Sequence, residues 1–345
     1  MKIFLYHNAC LNCTYVDHKE INCPLTVDII FLKMHIDLLS LIFARLKQKD
    51  QVNVSRCSSY VFRSPLTTIT KIFYAQGLTQ EFLDKKSIIT HNESSFLWSN
   101  LKLLYNYDNN NKITRIPSAI ANNLQILFVG GRCGLNEDAI ASLTNLKKLD
   151  ANSNNKITRI PIKCLSTLKI LDASINCGIN DDAIASLTSL KILLVYNNEK
   201  ISKIPTKCLS TLQELSVPGY CGIDDAALMA PLTNLKKLNI SNNEKITKIP
   251  SAIADTLQEL NAAGNCGIDD SGIASLTNLR ILYASANNKI TRIPVGCLST
   301  LQILFAQGDC GIDEKALASL TNLKVLNVNN NSRITTKSFL GRISY

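Results

Sequence analysis

The chain has 345 residues, of which 46% are hydrophobic and 19% charged, and this composition excludes an intrinsically disordered protein. Its 37 Lys and Arg residues outnumber 27 Asp and Glu residues and give a formal net charge of +10, so acidic partners have to be considered. The first residues, MKIFLYHNAC, lack the apolar core of a signal peptide, and charged residues interrupt the most hydrophobic stretch, 25–46. We therefore expect neither secretion nor a membrane span.

Residues 1–24 are a cysteine-containing N-terminal segment. Four potential metal ligands in it have the spacing C-x2-C-x4-H-x4-C: Cys10, Cys13, His18 and Cys23. This spacing resembles the zinc knuckle, and the resemblance implies one tetrahedral Zn²⁺. Thr14 and Asp17 stand where that family carries glycines, which makes its tight turns costly. We favour an unstructured segment and no cofactor, and zinc stays open as an alternative.

Residues 25–65 are predicted to form a small helical module. The stretch DLLSLIFARLKQKD, residues 37–50, has the apolar spacing of an amphipathic helix, and VSRCSSYVF follows at 54–62. These stretches resemble parts of an F-box, a module that docks a Skp-type linker and through it a cullin ubiquitin ligase. The resemblance implies that Ile42, Phe43 and Leu46 bind the linker. The Pro of the F-box pattern is missing, so a helical cap on the following repeats is the alternative.

From Leu101 onward, one pattern returns every 22 or 23 residues. Its leading leucines are Leu101, Leu124, Leu146, Leu168, Leu190, Leu212, Leu235, Leu257, Leu279, Leu301 and Leu323. Each opens the pattern L-x-x-L-x-φ (φ, apolar), in which apolar positions 4 and 6 alternate with polar ones, as in a short strand with one buried face. The eleven copies resemble the leucine-rich repeat family. Residues 66–100 are interpreted as a connector that includes a degenerate copy at 69–84.

The predicted fold class is therefore α/β. The resemblance implies a curved leucine-rich repeat solenoid over residues 101–345, with a parallel sheet of about eleven strands on its concave face. The small α-helical F-box-like module would precede it.

Two kinds of unit alternate along the solenoid. The first kind carries Asn at position 9, and the resemblance implies that this side chain turns inward and bonds the backbone of neighbouring units: Asn109, Asn154, Asn198, Asn243, Asn287 and Asn331. The second kind carries a cysteine at position 10: Cys133, Cys177, Cys221, Cys266 and Cys310. At two unit spacings, about 10 Å, these sulfurs are too far apart for disulfides, which predicts buried free thiols in a reducing compartment. An Asp in each second unit suits the N-cap of a short helix.

Charged residues also follow the units. Position 14 changes sign from each unit to the next, and we interpret it as a structural ladder of opposite charges: Arg115, Glu137, Arg159, Asp181, Lys203, Asp225, Lys248, Asp270, Arg292 and Glu314. Lysines at positions 2 and 11 supply the excess positive charge. They could meet nucleic acid, but they are also the ordinary solvated surface of a solenoid, so nucleic acid is not favoured as a partner.

Positions 3, 5 and 7 of each unit are predicted to point outward from the concave face. Aromatic and aliphatic residues occupy many of them: Tyr105, Tyr107, Phe128, Ile170, Ile192, Leu194, Tyr196, Ile281, Tyr283, Ile303 and Phe305. A strand face without a partner should be polar, so these residues indicate a protein-binding surface. Packing on one another across neighbouring strands is the alternative.

The sequence contains no recognisable catalytic arrangement, so we do not expect an enzyme. We interpret the chain as an intracellular protein–protein interaction adaptor: the F-box-like module would hold the linker and cullin, and the concave face would hold a target for ubiquitination. The alternatives are an interaction scaffold without a ligase partner and, more weakly, a nucleic-acid-binding solenoid. Richness in Asn, Ile and Lys suggests an AT-rich genome, such as that of an amoeba or of a large virus that infects one, but composition does not identify the source. The expected location is the cytoplasm or nucleus, of the host cell if the source is a virus.

Overall fold

The computed structural model describes residues 72–74, 101–106 and 113–334, all of which belong to the compact unit Pro65–Tyr345. Three sets of predicted site residues lie outside the described residues: the F-box-like Ile42, Phe43 and Leu46, the zinc alternative Cys10, Cys13, His18 and Cys23, and Tyr107 on the predicted concave face.

Twelve short strands form one parallel sheet in chain order, and each strand pairs with the next. They are β1 Ile72–Tyr74, β2 Leu103–Tyr105, β3 Ile126–Phe128, β4 Lys148–Asp150, β5 Ile170–Asp172, β6 Ile192–Leu194, β7 Glu214–Ser216, β8 Lys237–Asn239, β9 Glu259–Asn261, β10 Ile281–Tyr283, β11 Ile303–Phe305 and β12 Val325–Asn327. Strands β2 to β12 are the eleven predicted strands, and β1 lies within the segment 69–84. The fold is a leucine-rich repeat solenoid, as predicted.

Short helices return the chain from one strand to the next. In the described residues these are α1 Ser118–Ala121, α2 Glu137–Ile140, α3 Asp181–Ile184, α4 Asp225–Leu228, α5 Ser251–Ala254, α6 Asp270–Ile273 and α7 Glu314–Ala318, with 3₁₀-helices at Ile162–Cys164, Thr206–Cys208 and Val295–Cys297. In the second kind of unit an Asn or Asp caps the helix by accepting the amide three residues on, as Asp224 does from Ala227 at 3.0 Å. The first kind starts its helix after a proline, such as Pro205, whose fixed φ suits that position.

The core lies between the sheet and these helices. Leu146, Leu190 and Leu235 are fully buried, and so are the central strand residues such as Leu193. Of the eleven leading leucines, ten are buried and Leu323, in the last described unit, is partly buried. Each buried leucine contributes about 1.5–3 kcal/mol relative to an exposed one, so the strict 22- or 23-residue period is a requirement of the core.

A row of buried asparagines connects each unit of the first kind to the preceding unit through hydrogen bonds. The Nδ2 of Asn287 donates to the carbonyl oxygens of Ala262 at 2.9 Å and Ile268 at 3.3 Å, and its Oδ1 accepts the amide of Lys289 at 2.9 Å. Equivalent bonds recur at Asn154, Asn198, Asn243 and Asn331, which confirms the predicted inward asparagines. Asn109 lies outside the described residues.

The eight described cysteines are buried and form no disulfide bond, as predicted for the five at position 10. The Asn287 amide also contacts the Cys266 sulfur at 3.1 Å, so the thiols belong to the same hydrogen-bonded rows. Burial raises the pKa of Cys177 to about 11. Burial also raises the pKa of six further thiols: Cys164, Cys208, Cys221, Cys266, Cys297 and Cys310. Thiolate, the reactive form, is therefore disfavoured in the folded chain.

The predicted ladder of opposite charges is wrong at Asp181, Asp225 and Asp270. The Asp225 carboxylate accepts the amides of Thr247 at 2.8 Å and Lys248 at 3.3 Å, together with the Thr247 hydroxyl. Asp181 and Asp270 make the same bonds to the following unit. These carboxylates hold the register as predicted, but their partners are backbone amides and a hydroxyl instead of the neighbouring cationic side chains.

Candidate functional site

The strand face is the sheet surface that positions 3 and 5 of each unit form on β2–β12. Because side chains alternate along a strand, the residue between them points into the core, as Leu127 and Leu282 do. Nearly all strand-face residues are half-buried, because each is flanked by the equivalent residues of the neighbouring strands. The ten described residues predicted to bind a partner all lie on this face or directly after it, at Tyr196.

A stacked aromatic pair lies near the C-terminal end of the strand face. Tyr283 and Phe305 are direct partners in the register of β10 and β11, with ring centroids 4.9 Å apart and planes inclined by 13°. Ile281 and Ile303 are partners in the same register two residues earlier. We call these four residues the C-terminal cluster. It forms a continuous half-buried apolar surface across two strands.

A second aromatic pair lies near the other end. Tyr105 and Phe128 face each other on β2 and β3, with centroids 5.3 Å apart in a tilted arrangement. The Lys148 ammonium, on the neighbouring strand β4, lies 4.7 Å from the centre of the Phe128 ring in a cation–π contact. Both contacts join neighbouring strands, as the alternative of cross-strand packing describes, and binding of a partner stays a prediction.

Between the pairs, aliphatic residues occupy β5 and β6. Ile170 and Ile192 are partners, and Leu194 follows on β6. Tyr196, just beyond the strand, is 43% exposed, whereas the rings on the strands are half-buried. These residues lie on one surface, and Tyr196, beyond the strand end, is more exposed than the aromatic residues within the strands.

Charged residues cross the centre of the strand face in a row. Glu214, Lys237 and Glu259 are successive partners on β7, β8 and β9, and the Lys237 ammonium lies 3.0 Å from the Glu259 carboxylate. Burial raises the pKa of Glu214; Lys237 opposes that shift and Glu259 adds to it. On β4 and β5, Asp150 and Asp172 also face each other. The face therefore carries more negative than positive charge in a chain whose net charge is +10.

Several position-5 residues have a structural role that sequence reasoning missed. An Asp or Asn there accepts the backbone amide two residues on, as Asp172 does from Ser174 at 3.0 Å and Asn239 from Ser241 at 3.1 Å. This turn closes the strand end. The signal was present in the sequence, because Asp or Asn recurs at position 5. Aromatic residues at the same position cannot make this bond, so the turn does not account for them.

The position-11 lysines are not freely solvated. The ammonium groups of Lys200, Lys245 and Lys289 donate to the backbone carbonyls of Cys177, Cys221 and Cys266 at 3.0–3.1 Å. They therefore satisfy carbonyls of the preceding unit. The position-2 lysines and arginine, by contrast, are mostly exposed along one edge of the sheet.

Within the described ranges no three His, Cys, Asp or Glu side chains are arranged to hold a metal ion. The same ranges contain no helix long and apolar enough to cross a bilayer.

Comparison with known proteins supports the fold. A Leucine Rich Repeat family model matches residues 234–255, which is one unit. An internalin from Listeria monocytogenes superposes with a TM-score of 0.50 at 22% identity, over 82% of this chain and 89% of that structure. This likeness shows the fold alone.

Two further structures resemble the chain at lower TM-scores. The functional domain of InlJ from Listeria monocytogenes, which includes a cysteine ladder, has a TM-score of 0.49 at 23% identity, over 70% of this chain and 51% of that one, so this chain spans about half its length. The yeast Rad7 and Elc1 complex has a TM-score of 0.44 at 18% identity, over 94% and 97%. No curated protein matches the sequence.

Proposed function

We propose that this protein is an adaptor that binds a protein target on its strand face. The observation that carries the proposal is the C-terminal cluster, where Tyr283 stacks on Phe305 beside Ile281 and Ile303. Interface energy concentrates in a few aromatic and aliphatic anchors surrounded by polar residues, and the charged row on β7 to β9 borders the cluster on one side.

The target is proposed to be a substrate for ubiquitination. In this proposal the module at 25–65 binds a Skp-type linker and a cullin through Ile42, Phe43 and Leu46, and the protein acts inside the cell, without catalysis of its own. Support comes from the F-box-like spacing together with its position directly before leucine-rich repeats. An interaction scaffold without a ligase is the second candidate, because the strand face alone is sufficient for it.

Photo-crosslinking tests target binding. A photoreactive amino acid at Tyr283 should trap a protein from cells in which the chain naturally acts, and the same group at Ile162, in a 3₁₀-helix and 84% exposed, is the control. The proposal requires a product specific to Tyr283 that disappears with Phe305→Asn, since Asn occupies the equivalent position 327. Identical products from both sites would contradict it.

Co-purification tests the ligase. We expect linker and cullin to accompany the unmodified chain and to be lost with Phe43→Ala, at an unchanged melting temperature. Were Phe43 packed as a core residue, the same change would cost about 3–5 kcal/mol. If the wild-type chain co-purifies with no cullin, the ligase proposal is wrong and an interaction scaffold without a ligase remains.

A further inference from the structure

Three exposed apolar side chains come from three consecutive units at the end of the strands. Ile175 is 37% exposed, Tyr196 43% and Tyr220 74%. We call them the loop-edge patch. Solvent-exposed aromatic residues that neighbour one another in a folded domain mark interaction surfaces more often than isolated ones do.

Hydrogen bonds hold the patch in place. The Ile175 amide donates to the Tyr196 carbonyl at 2.6 Å, and the Tyr220 amide donates to the Asn197 side chain at 2.9 Å. A Cβ added to Gly219 would lie 3.0 Å from Cε2 of Tyr196, so the Tyr196 ring lies against the backbone next to Tyr220. The three residues are thus presented on a fixed frame, which lowers the entropy cost of binding.

The backbone at Ile175 departs from its equivalents. Position 8 of the second kind of unit has positive φ throughout, and glycine occupies it in the other four described units: Gly131, Gly219, Gly264 and Gly308. Ile175 adopts φ 50° there, although a β-branched residue is strained in this region. Strained residues cluster at functional sites, so the strain at Ile175 points to a role of its side chain. The other four described units of the second kind are built with glycine at this position.

Two carboxylates belong to the loops that carry the patch. Asp172 accepts the amide of Ser174, the residue before Ile175, at 3.0 Å. Glu199 occupies the position of Glu244, whose carboxylate accepts the side-chain amide of Asn265, the residue equivalent to Tyr220. The neighbouring cation, Lys200, donates to the Cys177 carbonyl 3.1 Å away. A partner that lies across the patch therefore meets these two carboxylates beside apolar side chains.

We propose that the loop-edge patch binds a basic segment of a protein partner, in which Arg or Lys residues flank an aromatic or aliphatic side chain. This inference rests on the proposed function and specifies the chemistry of the target. The apolar side chain would contact Tyr196 and Tyr220, and the cations would pair with Asp172 and Glu199. Charge complementarity of this kind selects partners and accelerates association.

Selection from an unbiased peptide library tests the proposal. The full chain is panned with short random peptides displayed on phage, and a double variant, Tyr196→Ser with Tyr220→Asn, removes peptides that bind elsewhere. Both replacements occur at equivalent positions, at Ser241 and Asn265, so the fold is preserved. We expect the surviving peptides to carry net positive charge and an apolar residue.

Affinities of the selected peptides provide the quantitative test. The double variant should weaken binding at least about tenfold, as the loss of interface anchors does. Asp172→Asn should weaken it less and reduce its salt dependence, while the turn to Ser174 is retained, as at Asn239. Ile162→Ser and Val295→Ser, both at residues 84% exposed and in 3₁₀-helices, should leave affinity unchanged.

Ile175→Gly separates function from structure. Because glycine relieves the positive φ, we expect a higher melting temperature together with weaker peptide binding. Ala286→Gly is the matched control, since Ala286 also has positive φ, 57°, and lies outside the patch. It should raise the melting temperature without a change in affinity. A loss of both stability and binding with Ile175→Gly would assign this residue to the fold and overturn its part in the proposal.

Other outcomes distinguish the two proposals. Acidic or neutral peptides among those selected would overturn the inference. Peptides whose affinity is unchanged by the double variant but weakened by Phe305→Asn would overturn it as well. Either result leaves target binding on the strand face intact. If no peptide prefers the unmodified chain over the double variant, the inference fails, and target binding on the strand face is decided separately by the crosslink at Tyr283.

Discussion

The interior and the strand face of this solenoid are built from the same strands but follow different rules. Inside, units of the same kind repeat the same contacts: Asn198 and Asn243 make equivalent bonds to the preceding unit. On the strand face, position 5 changes from Tyr105 to Ser216 to Phe305. The difference shows that stacking fixes the identity of a residue only where its side chain contacts the neighbouring unit in the interior. Residues on the strand face can vary, and they can therefore determine which partner binds.

The largest effect is expected from breaking an interior row. Asn287→Ala removes the donor to the Ala262 and Ile268 carbonyls and leaves the Lys289 amide without its acceptor. Because unpaired buried polar groups are costly, we expect a loss of about 2–4 kcal/mol in the free energy of unfolding, measured by urea denaturation. The adjacent, exposed Asn288→Ala is the control and should be nearly neutral. Equal losses from both would contradict the special role of the row.

The buried thiols make the interior sensitive to alkaline pH. Burial raises the pKa of Cys177 from 9.0 to about 11, so the unfolded chain releases this proton at lower pH than the folded chain. The stabilisation by the neutral thiol is complete below about pH 9 and is lost as the pH rises toward 11. At 1.36 kcal/mol per pKa unit, Cys177 accounts for roughly 2–3 kcal/mol of that loss.

Urea midpoints from about pH 7.5 to 10.5 under reducing conditions measure this effect. Cys177→Ala should be less stable than the wild type at neutral pH, and the gap should close as the pH rises. A gap that stays constant across this range would mean that Cys177 contributes by packing alone.

A smaller effect is expected at the bonds between units. Asp225→Lys removes the acceptor for the Thr247 and Lys248 amides, and we expect it to cost about 1–2 kcal/mol. Reversing Lys203 and Lys248 to Glu in the same chain should not restore the loss, because backbone amides cannot change sign. High salt, about 1 M, should not remove it either. Restoration in the triple variant would reinstate the ladder of opposite charges.

The comparison also explains what the sequence could and could not predict. The period of the leading leucines predicted short strands with one buried face, and the unit spacing predicted the buried thiols such as Cys221. The resemblance to leucine-rich repeats implied the parallel sheet and the inward row at Asn243. The predicted partner of Asp225 was wrong because the sequence shows the sign of each charge but not which backbone amides face a carboxylate. The strain at Ile175 was visible in principle, since glycine fills the same position in four other units, but it depends on backbone φ, which composition does not report.

The smallest effect on stability is expected at Glu214, a charged residue of the strand face. Burial raises the pKa of this carboxyl, and the Lys237 ammonium opposite it also pairs with Glu259 at 3.0 Å. A folded-state pKa above the unfolded value means that the charged form costs stability. The stabilisation is present below about pH 4.5 and is lost as the pH rises through the folded-state pKa.

Glu214→Gln should therefore raise the free energy of unfolding, measured by urea denaturation, by no more than about 0.5 kcal/mol at neutral pH. This gain should vanish near pH 4. Glu259→Gln, which breaks the pair with Lys237, is the control and should bring no gain. A Glu214→Gln variant that is less stable at every pH would make the carboxylate a structural group. If the gain appears, the chain keeps a charge that its fold does not need.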